Sequence, residues 1–553
     1  MEISPNSTIK LLSGVPLTNS YEHTIHFPKN DASAQTSYFN SKVRFTFDQQ
    51  MYQRYAKGTL RIRKPAGQIY GCNYLMFQNT AFDTKWFYAF ITSIDYINNE
   101  VTEIKYEIDV IQTYWYNWQF GLCYIQRCHT PTDNLFEHNV EEGLPCGDAY
   151  VQCGDASTIQ NFDMNQMSIV VLSVTNPDGA KPIPKMVNNV FVPLKYRVFK
   201  SWTTSDPDDN DLDDLIDYID EFIDAGREDA IVAIYQFPTM FTDNIQGVPT
   251  YDKTVTYHTD SLPYIGTPKN KKCFNYPFHF LRVSNNSGTT HDYHYEDFTF
   301  EQGSQSWLGN VHFDVAGTNI TMPNVLCFPK NHRRISQDVD FGITYNDFPE
   351  VGFTGDTFKA WWAQAKYSII ASAGKISAQG AATVLSGQLG SQQSANTPTV
   401  VTSKVKSQME PGTAGAISAG TSYSELAFDS LASTAQKMIE PPDLHGQAII
   451  SSLNMGMERC KFTFYEMSVK PDILERIDDF FTRYGYKVDV LDIPNTDARP
   501  HWTFLKTAGC TFTNIYAPTN EMQMIEAIFD KGITFWHNGS EVGNFNLDNS
   551  PST

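Results

Sequence analysis

The sequence predicts a mainly β protein with α+β parts, and three observations support this fold class. Aromatic residues make up 14% of the 553 residues, a content that is typical of β-rich chains when it occurs in short alternating runs. Hydrophobic residues recur with a period of two through residues 42–128, which is the spacing of a strand with one buried face. Residues 448–553 instead alternate strand patterns with helix patterns. We therefore expect a β-barrel or sandwich near the amino terminus and a small α/β region at the other end.

The length and composition predict a large protein of several domains, since about 150 residues per domain is usual. We expect four parts: a β-rich domain (1–154), a mixed β domain (155–353), a long insert (354–447) and an α/β part (448–553). The net charge of -21 argues against binding to nucleic-acid phosphates, which requires a basic face. The nine cysteines are odd in number and form no CxxC pair, so we expect them to be reduced and mostly structural.

The amino-terminal strands are predicted from alternating runs. Asn98-Asn99-Glu100 is the predicted turn of a long hairpin. The aromatic cluster YWYNW at Tyr114–Trp118 has the chemistry to stack on a sugar or a base, but five aromatics at a strand end more often form a core. The strand candidates are Lys42–Phe47, Thr59–Arg63, Tyr74–Gln78, Trp86–Ile97 and Val101–Tyr114.

One acidic helix is predicted in the middle part, at Asp209–Gly226. Its apolar residues recur at helical spacing and its acids fill the opposite face. A calcium loop needs alternate oxygen ligands and a fixed glycine, which this pattern lacks. We therefore interpret the acids as a solvated helix face.

The insert is small, weakly polar and almost uncharged: Ile376–Ser403 contains no Asp, Glu, Lys or Arg. Asp356 is the predicted cap of a helix before it, and Ser422 with Glu425 forms a capping box before a returning helix. A flexible linker or disordered loop is one interpretation. An apolar-tipped hairpin with a function is the other, because disordered segments usually combine low hydrophobicity with high charge. Its candidate membrane-active or plug residues are Ile369, Ile370, Ile376, Val384, Leu385, Val400, Val401 and Ile417.

No part of this insert is long and apolar enough to be a bilayer-spanning helix by itself. The amino terminus MEISPNSTIK has no basic region leading into an apolar one, so we expect no secretory signal. We also expect no transmembrane span elsewhere.

The carboxyl-terminal part has the element order βαββαβ, which is the ferredoxin-like arrangement. The two halves resemble an internal repeat. The predicted elements are a strand at Lys461–Met467, a helix at Asp472–Tyr484, strands at Tyr486–Ile493 and His501–Thr513, a helix capped by Thr519, and a strand at Ile533–His537.

The motifs that carry enzyme chemistry are missing: the sequence has no GxxxxGK[ST], GxSxG or HExxH. Three clusters contain residue types that occur in enzyme sites. HDYHYED at 291–297 has metal-ligand residue types, but a strand sends them to alternate faces. Glu141 and Glu142 are adjacent, so their carboxyls would not flank one glycosidic bond. CYIQRCH at 123–129 has no partner that would activate a thiol. We predict no catalytic residue, no cofactor and no metal site, and hence no enzyme.

Seven motifs give the chain a family resemblance. These motifs are VPLTNSY at 15–21, YLMFQNTAFDTKWFYAFIT at 74–92, YEIDVIQTYWY at 106–116, CYIQRCH at 123–129, EEGLPCGDAY at 141–150, FFTRYGYKV at 480–488 and FDKGITFWHN at 529–538. With them the chain resembles the tail knob, or distal tail tube, proteins of picovirus-type podoviruses. These are small short-tailed bacteriophages that infect Gram-positive hosts and prime their DNA replication with a protein. Residues 155–350 match no motif of the family.

The resemblance implies a homohexameric, mostly β tube in the virion tail, made in the bacterial host cytoplasm. It also implies weakly hydrophobic loops, at the position of the insert, that close the tube and later leave its lumen to penetrate the host membrane. The implied partners are other tail proteins (a lower collar or tail tube and a tip protein), the host membrane, and viral DNA that passes without specific binding. A receptor-binding module and a cell-wall hydrolase or depolymerase remain the alternatives.

Overall fold

A computed structural model gives the structure of most of the chain outside the insert. Within the described ranges, no helix is long and apolar enough to cross a bilayer. The described residues are 6–50, 58–79, 85–159, 167–179, 185–187, 190–192, 195–200, 211–238, 250–298, 309–317, 324–330, 332–333, 342–346, 348, 350–351 and 461–551.

Strands outnumber helices in these ranges. The strands are β1 Ser7–Leu12, β2 His23–Ile25, β3 Val43–Gln50, β4 Thr59–Ile62, β5 Tyr74–Asn79, β6 Trp86–Tyr96, β7 Thr102–Ile108, β8 Gln119–Phe120, β9 Cys123–Cys128, β10 Tyr150–Gln152, β11 Ser157–Ile159, β12 Met167–Ser173, β13 Lys185–Val187, β14 Val190–Val192, β15 Lys195–Lys200, β16 Ile231–Pro238, β17 Thr250–Thr256, β18 His279–Ser284, β19 Thr290–Tyr293, β20 Asn310–Gly317, β21 Val325–Pro329, β22 Ile343–Tyr345, β23 Glu350–Val351, β24 Phe462–Val469, β25 Tyr486–Asp492, β26 Trp502–Ala508, β27 Phe512–Thr513 and β28 Ile533–Trp536. The α-helices are α1 Ala32–Ser41, α2 Ala66–Ile69, α3 Val110–Tyr114, α4 Leu212–Asp224, α5 Pro471–Tyr484 and α6 Thr519–Lys531.

The chain divides into two compact units. The first combines Met1–Val151, Asp260–His279 and Ser468–Thr553, and the second combines Gln152–Thr259 with Phe280–Met467. The two ends of the chain thus share a unit.

The first sheet of the first unit is antiparallel, with the strand order β3-β1-β5-β6-β7-β4. Buried and more exposed residues alternate along β7: Ile104, Tyr106 and Ile108 are buried, and the residues between them are more exposed. The predicted turn between β6 and β7 forms through Asn98, whose side-chain oxygen accepts hydrogen bonds from the backbone N–H of Glu100 at 2.9 Å and Val101 at 2.8 Å. This local bonding is why the Asn-rich turn sets the hairpin.

The strand predicted to reach Tyr114 ends earlier, at Ile108. Asp109 interrupts it by capping α3, because its carboxylate accepts from the backbone N–H of Gln112 at 3.0 Å. The aromatic cluster that follows is core, as predicted, with Tyr114, Trp115 and Trp118 only 5%, 2% and 1% exposed.

The second sheet of the first unit joins strands from both ends of the chain, in the order β2-β28-β26-β9-β25. Strand β2 runs parallel to β28, and the other pairs are antiparallel. Helix α5 has Pro471 in its first turn and Gly485 at its end, as predicted. Helix α6 begins at Thr519 with Pro518 before it, so Thr519 is its first residue rather than its cap.

The predicted order of β24, α5, β25, β26, α6 and β28 is present, but these elements do not build one ferredoxin-like sheet. Strand β24 pairs in a different sheet, and β9 lies between β25 and β26. A single-sheet α/β module is therefore not confirmed. The reason is that amino-terminal strands take the positions that the module would fill with its own.

The second unit contains the antiparallel sheets β15-β12-β16-β23 and β17-β20-β21-β22 and the antiparallel hairpin β13-β14. A further sheet has the order β10-β24-β18-β19, and β11 also pairs with β24. Helix α4 buries Leu215, Ile219 and Phe222, while Asp213, Asp217 and other acids remain exposed. This amphipathic arrangement agrees with the predicted solvated acidic face.

Candidate functional site: an apolar face on an edge strand

The predicted plug residues of the insert lie outside the described residues. This applies to Ile369, Ile370, Ile376, Val384, Leu385, Val400, Val401 and Ile417. Their proposed role therefore remains a prediction.

The cluster HDYHYED does not gather into a metal site. Asp292 on β19 is held by Arg282 of β18 through two hydrogen bonds of 2.7 and 2.8 Å. His294 Nδ1 lies 3.5 Å from a carboxylate oxygen of Asp297. In the described part of the chain, none of these residues belongs to a group of three whose ligand atoms converge.

The adjacent acids Glu141 and Glu142 have opposite environments, as expected for an extended chain. Glu141 is exposed and Glu142 is buried. One Glu142 oxygen pairs with Arg127, and the other lies 2.5 Å from Lys272 Nζ and accepts from the backbone N–H of Lys487 at 2.9 Å. Such a carboxylate is fully engaged in holding structure.

The Glu142 ion pairs bring three of the family motifs together. Arg127 comes from CYIQRCH, Glu142 from EEGLPCGDAY, and Gly485 and Lys487 from FFTRYGYKV. Arg127 also donates to the Gly485 carbonyl at 2.8 Å. The motifs therefore maintain the packing of β9, β25 and the loop that follows β9.

The cysteines and the histidine of CYIQRCH are also structural. Burial raises the pKa of Cys128 to about 12, so this thiol stays protonated. Cys123 Sγ lies 3.3 Å from Cys510 Sγ, and the eight described cysteines are free. His129 is buried, and its Nδ1 accepts a hydrogen bond from the Phe504 N–H at 2.8 Å.

An exposed apolar face remains on the outer side of β9 and β25. It comprises Leu122, Tyr124, Leu491 and Ile493, which are 55%, 40%, 60% and 60% exposed. We call it the β9–β25 face.

The strand register explains why these side chains share one face. Leu491 lies directly opposite Tyr124, and opposite residues of an antiparallel pair point to the same side of the sheet. Leu122 directly precedes β9 and Ile493 directly follows β25. Continuing the period of two from Tyr124 and Leu491 places both on this side. Cys123 and Ile125 point the other way and are buried, with 0% and 4% exposure. Four apolar groups therefore share the outer side of one strand pair.

The β9–β25 face lies at the end of a sheet. Strand β25 is last in the order β2-β28-β26-β9-β25, so its outer backbone groups have no partner strand in the part of the chain that the structure describes. Proteins usually blunt such edges with charge or a bulge. Here a register shift lies between Lys487 and Val490, while the following residues are apolar. An apolar edge of this kind is suited to contact with another chain.

This face was not predicted from the sequence. The sequence pattern nevertheless contains a sign of it. In the predicted strand Tyr486–Ile493, the apolar residues Leu491 and Ile493 are two residues apart, on the side opposite to that of buried Tyr486. The pairing with β9 creates the patch, and that pairing joins residues far apart in sequence.

Comparisons with known proteins agree with the family resemblance. The family model described as "Bacillus phage phi29, Tail knob protein gp9, C-terminal domain" matches residues 235–550, and the model described as "Caudoviral major tail protein N-terminus" matches residues 5–119. Tail knob protein gp9 of Bacillus phage B103 is 23% identical, with 98% of each chain covered. Tail knob protein gp9 of Bacillus phage phi29 is also 23% identical, with the same coverage.

A solved structure supports the fold. The tail knob protein gp12 of bacteriophage C1 is similar with a TM-score of 0.52 and 16% identity, covering 97% of this chain and 98% of that one. Since the phi29 tail knob model alone spans more than half of the sequence, the chain belongs to the tail knob protein gp9 family and is a structural, non-enzymatic protein of a phage tail.

Proposed function

We propose that the protein forms the distal tail tube of a phage as a homohexamer and acts as the conduit through which viral DNA is ejected. In this proposal residues 1–154 and 448–553 build the tube body, residues 155–353 form an outer domain, and residues 354–447 close the lumen until they leave it and help penetrate the host membrane. Other tail proteins would bind its ends, and DNA would pass without specific contacts.

The β9–β25 face carries the assembly part of this proposal. A ring forms when a head-to-tail contact between identical chains closes on itself. Such a contact requires a surface that is unsatisfied in the single chain, and an apolar edge strand is one. Leu122, Tyr124, Leu491 and Ile493 supply it on the unit that contains both chain ends.

The charge of the molecule supports the conduit part. With a net charge of -21, the protein as a whole repels phosphates, so DNA would slide without being held. The uncharged composition of Ile376–Ser403 supports membrane penetration by the insert, because such a segment avoids the large cost of placing charged side chains in a bilayer.

The assembly is tested by introducing a charge into the β9–β25 face. We expect the wild-type chain to form six-fold rings by electron microscopy and light scattering, and Leu491→Asp to remain monomeric because it would bury an unpaired carboxylate. Tyr70→Asp is the matched control, since Tyr70 is 61% exposed but lies outside this face.

Rings of Leu491→Asp as stable as the wild type would remove the face from assembly. A wild-type chain that is monomeric at high concentration and not hexameric in the virion would refute the tube itself.

A further inference from the structure

A second cluster of side chains lies in the first unit, where β2 and β28 end side by side. His26 directly follows β2 and His537 directly follows β28. The two strands are parallel neighbours, and the His26 N–H donates to the Trp536 carbonyl at 2.8 Å. Parallel pairing thus brings two imidazoles from opposite ends of the chain together, with ring centres 5.1 Å apart.

Asp497 completes the cluster from the connection between β25 and β26. Its carboxylate lies 3.3 Å from His537 Nδ1. One ligand atom from each of His26, Asp497 and His537 lies within 4.8 Å of the others. Three segments that are distant in sequence therefore converge on one point.

We propose that His26, His537 and Asp497 bind a divalent first-row transition metal ion, with Zn²⁺ the best fit, as a structural cross-link of the first unit. Two imidazoles and a carboxylate are ordinary zinc ligands, and metal bonds of about 2.0–2.2 Å place tetrahedral ligand atoms about 3.4 Å apart. The His537–Asp497 pair already has this spacing. Asp497 has an exposed side chain, with 71% accessible, so its carboxylate is free to move toward a metal ion held by the two imidazoles.

The protonation states suit metal binding. Burial is the main cause that lowers the pKa of His26 to about 4, helped by repulsion from His537 and opposed by Asp497. Burial likewise lowers the pKa of His537. Both rings are therefore neutral at pH 7, the form that binds metal. Lys29 is a nearby cation whose pKa is lowered to about 7 by burial.

The surroundings position the two imidazoles. His26 packs edge-on against Trp115, with ring centres 5.7 Å apart. His537 directs Nε2 toward the Thr503 hydroxyl, 3.5 Å away, which leaves Nδ1 for the metal. A hydrogen-bond partner on the second nitrogen is what usually fixes the orientation of a metal-bound histidine.

The test is zinc binding by the full-length protein, stripped with a chelator, reloaded and passed through gel filtration. We expect about one Zn²⁺ per chain by elemental analysis, a higher thermal midpoint with zinc than without it, and a visible absorption spectrum with Co²⁺ as the probe. His26→Gln and His537→Gln should lose the ion and the zinc-dependent stabilisation. Asp497→Asn, at an exposed position that leaves the fold intact, should weaken binding at least tenfold.

His291→Gln is the control, because His291 belongs to the HDYHYED cluster and should leave the zinc content unchanged. The proposal is overturned if the wild type retains no zinc, if Asp497→Asn binds it as tightly as the wild type, or if His291→Gln loses as much zinc as His537→Gln. Circular dichroism of each variant separates loss of the site from loss of the fold.

Discussion

Buried histidines make the first unit sensitive to acid. His129 is 4% exposed, and its two ring nitrogens contact the Phe504 N–H at 2.8 Å and the Thr482 carbonyl at 3.1 Å. Burial, with repulsion from Arg499 as a second cause, lowers its pKa to about 3. The folded protein therefore holds a neutral imidazole that donates from Nε2 and accepts at Nδ1.

The pH dependence of stability follows from this shift. In the unfolded chain the pKa is about 6.5, so the stability that neutral His129 contributes is fully present above that pH. It is lost as the pH falls toward 3, at about 1.4 kcal/mol per pH unit. We expect urea unfolding to show a smaller loss of stability between pH 7 and pH 4.5 for His129→Gln, whose amide keeps a donor and an acceptor but does not titrate. An unchanged pH dependence in the variant would contradict this origin.

The buried carboxylate of Glu142 gives a second prediction at this scale. Burial lowers the pKa of Lys272 and Glu142 opposes that shift, so the ammonium depends on this partner. Glu142→Gln leaves the Lys272 and Arg127 charges uncompensated, and we expect a loss of about 3–5 kcal/mol in the free energy of unfolding. Glu141→Gln, at the exposed neighbour, should change it by less than about 0.5 kcal/mol. Equal effects of the two substitutions in chemical denaturation would show that the ion pairs are unimportant.

At the scale of elements, local patterns predicted most of the first unit. The alternation in β7, the Asn98 turn and the ends of α5 depend on neighbouring residues, and all are present in the structure. The predicted end of β7 was wrong because the residues after Ile108 fit two structures equally well. Their apolar pattern fits a strand, but the Asp109 side chain caps helix α3 instead. The β9–β25 face was missed for another reason: it depends on which strands pair, and pairing between distant segments leaves no local pattern.

Gly485, which ends α5, lies very close to the backbone of Cys128 and His129. Its φ is +65°, and a Cβ there would meet the Cys128 carbonyl oxygen and the His129 nitrogen. We expect Gly485→Ala to lower the thermal midpoint because it adds a backbone clash to a conformational cost of about 1–3 kcal/mol. Gly543→Ala separates the two terms, since Gly543 has a φ of +86° but no heavy atom within 4 Å of the added carbon. Equal losses would show that conformation alone is responsible.

At the scale of the whole molecule, the insert is expected to be the membrane-active part of an assembled ring. Residues 376–403 contain no charged residue, and each charge avoided saves about 2.5–3.5 kcal/mol at the bilayer centre. Several copies on one ring would add their weak affinities through a high effective concentration. We expect the wild-type ring to release dye from liposomes, and a ring with Ile376–Ser424 replaced by a short Gly/Ser turn to release none.

The outcomes of that experiment separate two roles. Equal leakage from both rings would exclude the insert from penetration. No leakage from either would leave it as a plug that closes the lumen and does not enter lipid.

The parallel pairing of β2 with β28 determines when this protein can fold. His23 is aligned with Thr534, so a strand made at the start of synthesis must wait for one made at the end. Closing so long a loop is slow, and contacts of this range delay folding until most of the chain is available. Until the last segment has been synthesised and released from the ribosome, the second sheet of the first unit is incomplete. Because β9 pairs with both β25 and β26, a product truncated before β25 also lacks one of the two strands that carry the β9–β25 face.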